Sequence, residues 1–351
     1  MTVDNLPKTF LTGYAEILLK ASATGRRLTR EELRRHRALG AQAAEAGCDW
    51  RQILREHLAA GRVVRPRSAA DLDGVLATVG QALDAFADGY QRAQRAAAHR
   101  HDAARREFID GLLSGAFDPE QLAAGAERFG LQLSYAHGTA VAVGPEAYGD
   151  GHPVVRQVGA ETLGRFGNRG VLLAAVDGAL VCVAPGGQDE VLAHFADRAV
   201  AAGALRVAVG RAQPGAAGCA RSYREALGVL SVAERMEFEE RVLHAADLLV
   251  FPVLTRDRQA LADLVRTLLG PLEQARGGAR PLLRTLEVYF DAGCVTAEAA
   301  RRLSLSVRAL SYRLHRVRLL TGADPADPRH RYALQTAVIG ARLLDWPREE
   351  P

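Results

Sequence analysis

A multidomain α+β chain is predicted, with an all-α N-terminal part, an α/β middle part and an all-α C-terminal part. Three observations predict it. Through residues 1–90 apolar side chains recur at helical spacing, as at Leu11, Tyr14, Ala15, Leu18 and Leu19 and again at Trp50, Ile53, Leu54 and Leu58. Short β-branched runs bounded by glycine then take over, at Thr139–Val143, Val171–Val176, Ala179–Cys182 and Leu205–Val209. Beyond Pro252 the periodicity is helical to the end. A chain of 351 residues, 48% of them hydrophobic, is also too long for one core.

The N-terminal part, residues 1–90, shows no strand-like alternation. Thr29 followed by Glu31 and Glu32 reads as an N-cap with first-turn acids, and Gly47 and Gly61 read as helix stops. The helical pattern continues without proline from about Leu72 to Leu113. Within it Gln91–Arg106 is rich in Ala, Arg, Gln and His, the composition of a solvated connecting helix over residues 91–116.

The middle part, residues 117–250, opens where Gly115 to Pro119 breaks that helix. Its order is strand, helix, strand, strand, helix, strand, the ferredoxin-like split βαβ arrangement. Asp177-Gly178 between two apolar runs is a two-residue hairpin signal. A helix over Cys219–Glu234 and a strand near Arg241–Leu243 complete it. Residues 251–281 read as a helical connector.

Residues 282–346 carry the pattern richest in function. A helix from Leu282 to Ala292 stops at Gly293. Thr296 is placed to cap a short helix through Leu303, with Glu298 in its first turn, and Ser304–Ser306 form a tight turn whose Ser306 caps a third helix to about Leu320. On that third helix Leu310, Leu314 and Val317 form one apolar stripe. Arg308, Ser311, Tyr312, His315 and Arg316 lie opposite; Arg313 and Arg318 add charge, and no acid interrupts them. A short helix, a tight turn and a longer helix with a cationic face form a unit that enters a major groove of double-stranded DNA. Arg308 and Ser311 are expected to reach base edges. Arg313, Arg316 and Arg318 are expected on phosphates, as is Thr296 at a helix N-terminus. Tyr312 suits either stacking on the DNA backbone or packing within the domain.

Composition narrows the alternatives. The formal net charge is +4, and Lys8 and Lys20 are the only lysines, so the basic residues are almost all arginine, as a GC-rich genome encodes them. A lone arginine therefore means little. Cys48, Cys182, Cys219 and Cys294 form no C-x-x-C pair, which argues against a zinc site or disulfide framework and fits a reducing cytoplasm. Apolar runs are too short to span a bilayer, so a cytoplasmic protein without a membrane partner is expected. His99 and His101 are two apart on a helix and diverge, and His36 and His57 in the helical N-terminal part read as structural rather than as haem ligands. Neither Gly144-Pro145 nor Pro185-Gly186-Gly187 matches a phosphate-binding loop. No catalytic residue, metal site or cofactor is expected.

The run Leu282–Gly322, with TLEVYFDAG, TAEAARRLSLS and LSYRLHRVRLLTG, followed by DPRHRYALQTAV, resembles the C-terminal helix-turn-helix of bacterial PucR/CdaR-type regulators. Tyr312-Arg313-Leu314 and Leu320-Thr321-Gly322 sit at that family's spacing. The recognition helix departs at its start, where the family usually has His, Arg, Asn and Thr and this chain has Ser306, Val307, Arg308 and Ala309. Residues 117–245, notably Arg221-Ser222-Tyr223-Arg224-Glu225-Ala226-Leu227, are similar to the GGDEF-like domain of the same regulators. A diguanylate cyclase of that fold needs GG[DE]EF between its hairpin strands, and this chain has Val176-Asp177-Gly178-Ala179-Leu180 there, so the resemblance implies the fold without the enzyme. The N-terminal helices more weakly resemble the globin-like domain of RsbR-type stress-signalling proteins.

Together these imply a sequence-specific DNA-binding transcriptional regulator answering to a small-molecule or protein effector. A homodimer or higher even oligomer is expected, with contacts at Gln91–Arg106 and at a stripe of Leu334, Val338 and Ala341 on the last helix, a stripe that can equally pack inside its own domain. The alternatives are a nucleotide-binding receptor or nucleotide-cyclising enzyme built on the middle domain, and a signalling scaffold.

Overall fold

The computed structural model describes residues 13–24, 26–61, 69–115, 118–149, 151–168 and 170–347; Lys8 and Leu11 lie outside them. The chain divides into two compact units, residues 1–105 and 106–351. In the first unit, α1 (Tyr14–Thr24), α2 (Arg30–Glu45), α3 (Trp50–Gly61) and the first part of the 46-residue α4 (Ala69–Ser114) pack together. Thr29 caps α2 as the sequence indicates, in a full capping box: its hydroxyl accepts from the Glu32 amide, and the Glu32 carboxylate accepts from the Thr29 amide. Two apolar clusters make the core, one around Tyr14, Leu18 and Val79, the other around Ile53, Phe86 and Tyr90.

His36 and His57 are buried in this unit. The Nδ1 of each faces a carbonyl one turn back, Glu32 O at 2.8 Å and Ile53 O at 3.0 Å, which fixes the neutral Nδ1–H form. The His57 ring is packed 5.0 Å from Tyr14 and 4.8 Å from Phe86. Burial first, then the charge of His36, pushes the His57 pKa down to about 4. An unfolded histidine titrates near 6.5, so folding favours the neutral ring. The contribution is complete above that value and is lost as pH falls through the window down to about 4, a loss of about 3 kcal/mol. Urea unfolding followed through Trp50 in a Trp346→Phe background is expected to show the midpoint dropping across this window, and His57→Phe is expected to flatten the drop. An equal acid response in both proteins would place the sensitivity elsewhere.

In the second unit the end of α4 buries Phe108, Ile109, Leu112 and Leu113, and α5 (Pro119–Phe129) returns against it, Phe129 stacking on Phe108 at 5.4 Å. Strand β1 (Ala136–Val143), helix α6 (Pro153–Phe166), strands β2 (Leu172–Val176) and β3 (Ala179–Pro185), helix α7 (Asp189–Ala201) and strand β4 (Arg206–Val209) follow. The order across the sheet is β2-β3-β1-β4, antiparallel throughout, which is the predicted split βαβ arrangement. Asp177 and Gly178 both have positive φ, 49° and 80°, as a type I′ hairpin turn requires. Strands β5 (Gln213–Pro214) and β6 (Val242–His244) add to the sheet, β6 parallel to β4, on either side of helix α8 (Ala216–Arg235).

The sheet is buried on both faces. α7 supplies Val191 and Phe195 to the core that holds Ala140, Leu180 and Cys182. α8 packs against β1, where the buried Ser222 hydroxyl accepts from the Thr139 amide at 2.9 Å. A Cβ at Gly210 would fall 2.0 Å from the Ser222 carbonyl oxygen, so only glycine lets helix and strand approach there. Much of the Arg221–Leu227 motif is thus structural.

After α9 (Val250–Thr255) come α10 (Arg258–Leu269), a 3-10 turn (Gly270–Gln274), α11 (Arg280–Asp291), α12 (Thr296–Arg302), α13 (Val307–Thr321) and α14 (Pro328–Leu344). Their shared core includes Leu269, Leu272, Leu286, Leu310, Val317 and Leu334. The Leu334, Val338 and Ala341 stripe of α14 is buried here. This corrects its assignment to a dimer contact: the three side chains belong to the domain's own core with Leu269, Leu272 and Leu286. On an adjoining side of the helix Gly340 lets Leu261 and Val265 of α10 press onto α14. The C-terminal end of α8 is tied to the end of α14, as Arg235 bonds the Leu343 carbonyl and Asp345 while Arg342 bonds the Met236 carbonyl.

Candidate nucleic-acid interface

Between α11 and α12 the chain turns through two successive left-handed residues, Gly293 (φ 61°) and Cys294 (φ 62°). Val295, in extended conformation, is the N-cap of α12, and Thr296 is its first helical residue. This corrects the expected Thr296 cap. Its hydroxyl sits one position too late to serve the free amides of the first turn. Glu298 is in that turn and is gripped by Arg301 and Arg302, each at 2.7 Å, and these two partners hold its pKa down to about 2. Sequence reading passed over Arg301 and Arg302. Their i+3 and i+4 spacing from Glu298 was the available signal, and together they outweigh its charge by one.

The turn into α13 is tight because Ser304 takes a left-handed conformation (φ 54°) and the Leu305 amide returns to the Ala300 carbonyl at 2.9 Å. Ser306 then caps α13, accepting from the Ala309 amide at 3.1 Å. Leu310 and Val317 are fully buried and Leu314 is half-buried, so the rotation of the helix follows the predicted stripe. Arg308, Ser311, Tyr312, His315 and Arg316 are exposed together on the other side. Tyr312 is 70% exposed, which removes the option of packing within the domain.

Two of the predicted cations are engaged within the domain. The half-buried Arg313 turns its guanidinium toward α11, donating to the Thr285 hydroxyl at 3.4 Å, because its place on the helix flank lies beside the packed face rather than opposite it. Arg318 pairs with Asp324 of the following loop at 2.9 Å. Arg308 and Arg316 make no ion pair among the described residues. They are the open charges of this surface.

The hairpin turn of the α/β domain differs from its sequence reading in one respect. Asp177 is the only acid in the turn itself, but Asp110 from the end of α4 comes close enough for the two carboxylates to interact. Burial first, and then the Asp177 charge, raise the Asp110 pKa against the pull of Arg106. Among the described residues no group of three or more His, Cys, Asp or Glu side chains is arranged to hold a metal ion. No helix among them is long and apolar enough to cross a membrane. His99 and His101 are exposed on α4.

Residues 282–339 match the PucR C-terminal helix-turn-helix domain, and residues 114–232 match the GGDEF-like domain. Among curated proteins, an uncharacterized protein of Mycobacterium tuberculosis and one of Mycobacterium bovis are each 30% identical over 154 residues, 44% of this chain and 35% of theirs. The matched region therefore spans about a third of the length of those relatives. Among solved structures, a regulator of polyketide synthase expression from Bifidobacterium adolescentis is similar at 21% identity, with a TM-score of 0.37 over 70% of this chain and 99% of that one.

Proposed function

We propose that this chain, a PucR/CdaR-type regulator by the helix-turn-helix and GGDEF-like domains it carries, binds double-stranded DNA through α13 and sets transcription in response to an effector. The observation that carries this reading is the outer face of α13, where Arg308, Ser311, Tyr312, His315 and Arg316 stand exposed on one side with no acid among them. Arg308 and Ser311 lie in the first turns after the Ser306 cap, where a helix meets base edges, and a guanidinium bridges the two major-groove acceptors of guanine. Arg316, two turns further along, is assigned to a phosphate. Arg313 and Arg318 position the helix and its following loop through Thr285 and Asp324. The α/β domain acts as a non-enzymatic relay in the cytoplasm, a reading supported by its short Asp177-Gly178 turn.

A homodimer fits this reading, because one such module buries little DNA surface and dimers span half-sites about one helical turn apart. With the α14 stripe buried, the Gln91–Arg106 stretch of α4, exposed over most of its length, is the remaining candidate for the contact.

The test uses duplexes selected by the full chain from a random pool, set against scrambled duplexes over a salt series. Arg308→Ala is expected to lose about 1–3 kcal/mol on selected duplexes and little on scrambled ones. Arg316→Ala is expected to weaken both alike and to lower the salt slope by about one ion. The opposite pattern would mean that α13 docks in another orientation. Sedimentation of the same preparations checks the assembly, and a monomer that still binds selected duplexes tightly would refute the dimer.

A further inference from the structure

A groove of about 660 Å³ runs between α8 and α9, with Ala245, Leu248 and Leu249 of the segment before α9 also in its lining. Its volume is that of a small-molecule site. Val229, Val232, Leu248 and Phe251 give it an apolar lining. Val253 of α9 stands at its edge 73% exposed, an apolar side chain that water does not favour. Gly228 leaves the helix bare at the middle of the groove, and a Cβ there would meet no atom within 4 Å.

One end is cationic. Arg221 and Arg224, one turn apart on α8, line it together with Arg211. Glu225 is the one carboxylate of the lining, and it is already taken. Arg211 donates to it three times, from its guanidinium at 2.6 and 3.1 Å and from its backbone amide at 3.2 Å, and Gln213 adds a fourth bond at 3.1 Å. Arg224 donates its Nε–H to the Ala220 carbonyl at 3.2 Å, and neither it nor Arg221 has a carboxylate partner among the described residues. Two guanidinium groups without counter-ions therefore border an apolar trough. Guanidinium pairs carboxylate in a two-pronged bond stronger than a neutral hydrogen bond.

We infer that this groove binds an amphipathic carboxylate, its apolar body along α8 against α9 and its anionic head on Arg221 and Arg224. Binding stands on the groove alone. Its role as the effector site rests on the regulatory reading above, and the path is short. α9 leads directly into α10, which packs on α14, and α8 itself is anchored to α14 through Arg235 and Arg342. A ligand that wedges or clamps α9 thus acts on the two helices that carry the DNA-binding domain.

The experiment is calorimetric titration of the full chain, without DNA, with decanoate, with naphthalene-2-carboxylate and with decan-1-ol. The two acids separate an aliphatic from an aromatic body, and the alcohol removes the charge. At least one acid is expected to bind at one molecule per chain, with the alcohol about tenfold weaker or more, the size of a lost hydrogen bond to a charged group. Arg221→Ala with Arg224→Ala is expected to bring the acid down to the level of the alcohol. Gly228→Leu, whose Cβ meets no atom within 4 Å and whose side chain projects into the lining, is expected to keep the fold, checked by thermal melting, and to abolish binding of acid and alcohol. Absence of binding by both acids at millimolar concentration, equal affinity for acid and alcohol, or wild-type binding by Gly228→Leu would each overturn the inference. So would a Gly228→Leu chain that sediments as a smaller species while no acid binds the wild type, because the groove would then seat a second copy. Because no DNA is present, none of these outcomes depends on the Arg308 and Arg316 results.

Discussion

Gly89→Ala is expected to open the N-terminal helical unit, although alanine is the better helix former. α2 and α4 cross through a reciprocal pair of glycines. A Cβ on Gly89 would sit 2.0 Å from the Arg37 carbonyl oxygen and 2.7 and 2.8 Å from the Arg37 C and Cα, and a Cβ on Gly40 would sit 2.1 Å from the Phe86 carbonyl oxygen. In both cases the obstacle is backbone, which cannot rotate away as a side chain can. The helices must separate, and the contacts of Ala43, Phe86 and Tyr90 loosen with them. Propensity alone favours Gly→Ala inside a helix by about 1 kcal/mol, whereas overpacking costs about 1–3 kcal/mol and more when backbone has to yield. Gly80 on the same α4 supplies the control, since nothing lies within 4 Å of its Cβ position. Urea unfolding followed through Trp50, again with Trp346→Phe, is expected to show Gly89→Ala strongly destabilised and Gly80→Ala unchanged or stabilised. Equal midpoints for the two variants would show that the crossing is looser than described.

That contact was invisible in the sequence, and the reason is general to this chain. Thirty-four glycines are scattered along it, and spacing alone does not say which face a neighbouring backbone. What the sequence did make legible was local. Asp177-Gly178 predicts the hairpin because few other residues accept two positive φ values, and that fixes the antiparallel pairing of β2 with β3. The Thr29 and Ser306 caps were readable for the same reason, each being decided within three residues. Long-range choices were not. Whether the Leu334, Val338 and Ala341 stripe packs inward or on a partner depends on Leu269, Leu272 and Leu286 from earlier helices, and no periodicity within α14 records it. Arg313 looked like a free cation because its partner, Thr285, lies on another helix. Asp110 and the α8–α9 groove were missed likewise, since each is assembled from segments that only the fold brings together.

Leu310→Ala is the substitution expected to do most damage to the DNA-binding domain without touching its outer face. Leu310 is fully buried in the core that contains Leu286 and Val317, and it lies one turn beyond the Ser306 cap, where it pins the start of α13. Truncation to alanine leaves a cavity that neighbouring helices fill only in part, a loss of about 2–5 kcal/mol. Leu319 lies on the same helix but is 63% exposed, so the same chemical change there is expected to fall within about 0.5 kcal/mol of wild type. Thermal melting of the two variants measures the difference. Retention on duplex DNA is expected to follow it, with Leu310→Ala losing binding as temperature approaches its lowered midpoint and recovering on cooling, because Arg308 and Arg316 are untouched. If Leu319→Ala proved the more destabilising of the pair, α13 would have to be rotated about its axis. The exposed set of Arg308, Ser311, Tyr312, His315 and Arg316 would then no longer share a face, and the proposed DNA contact would fail with it.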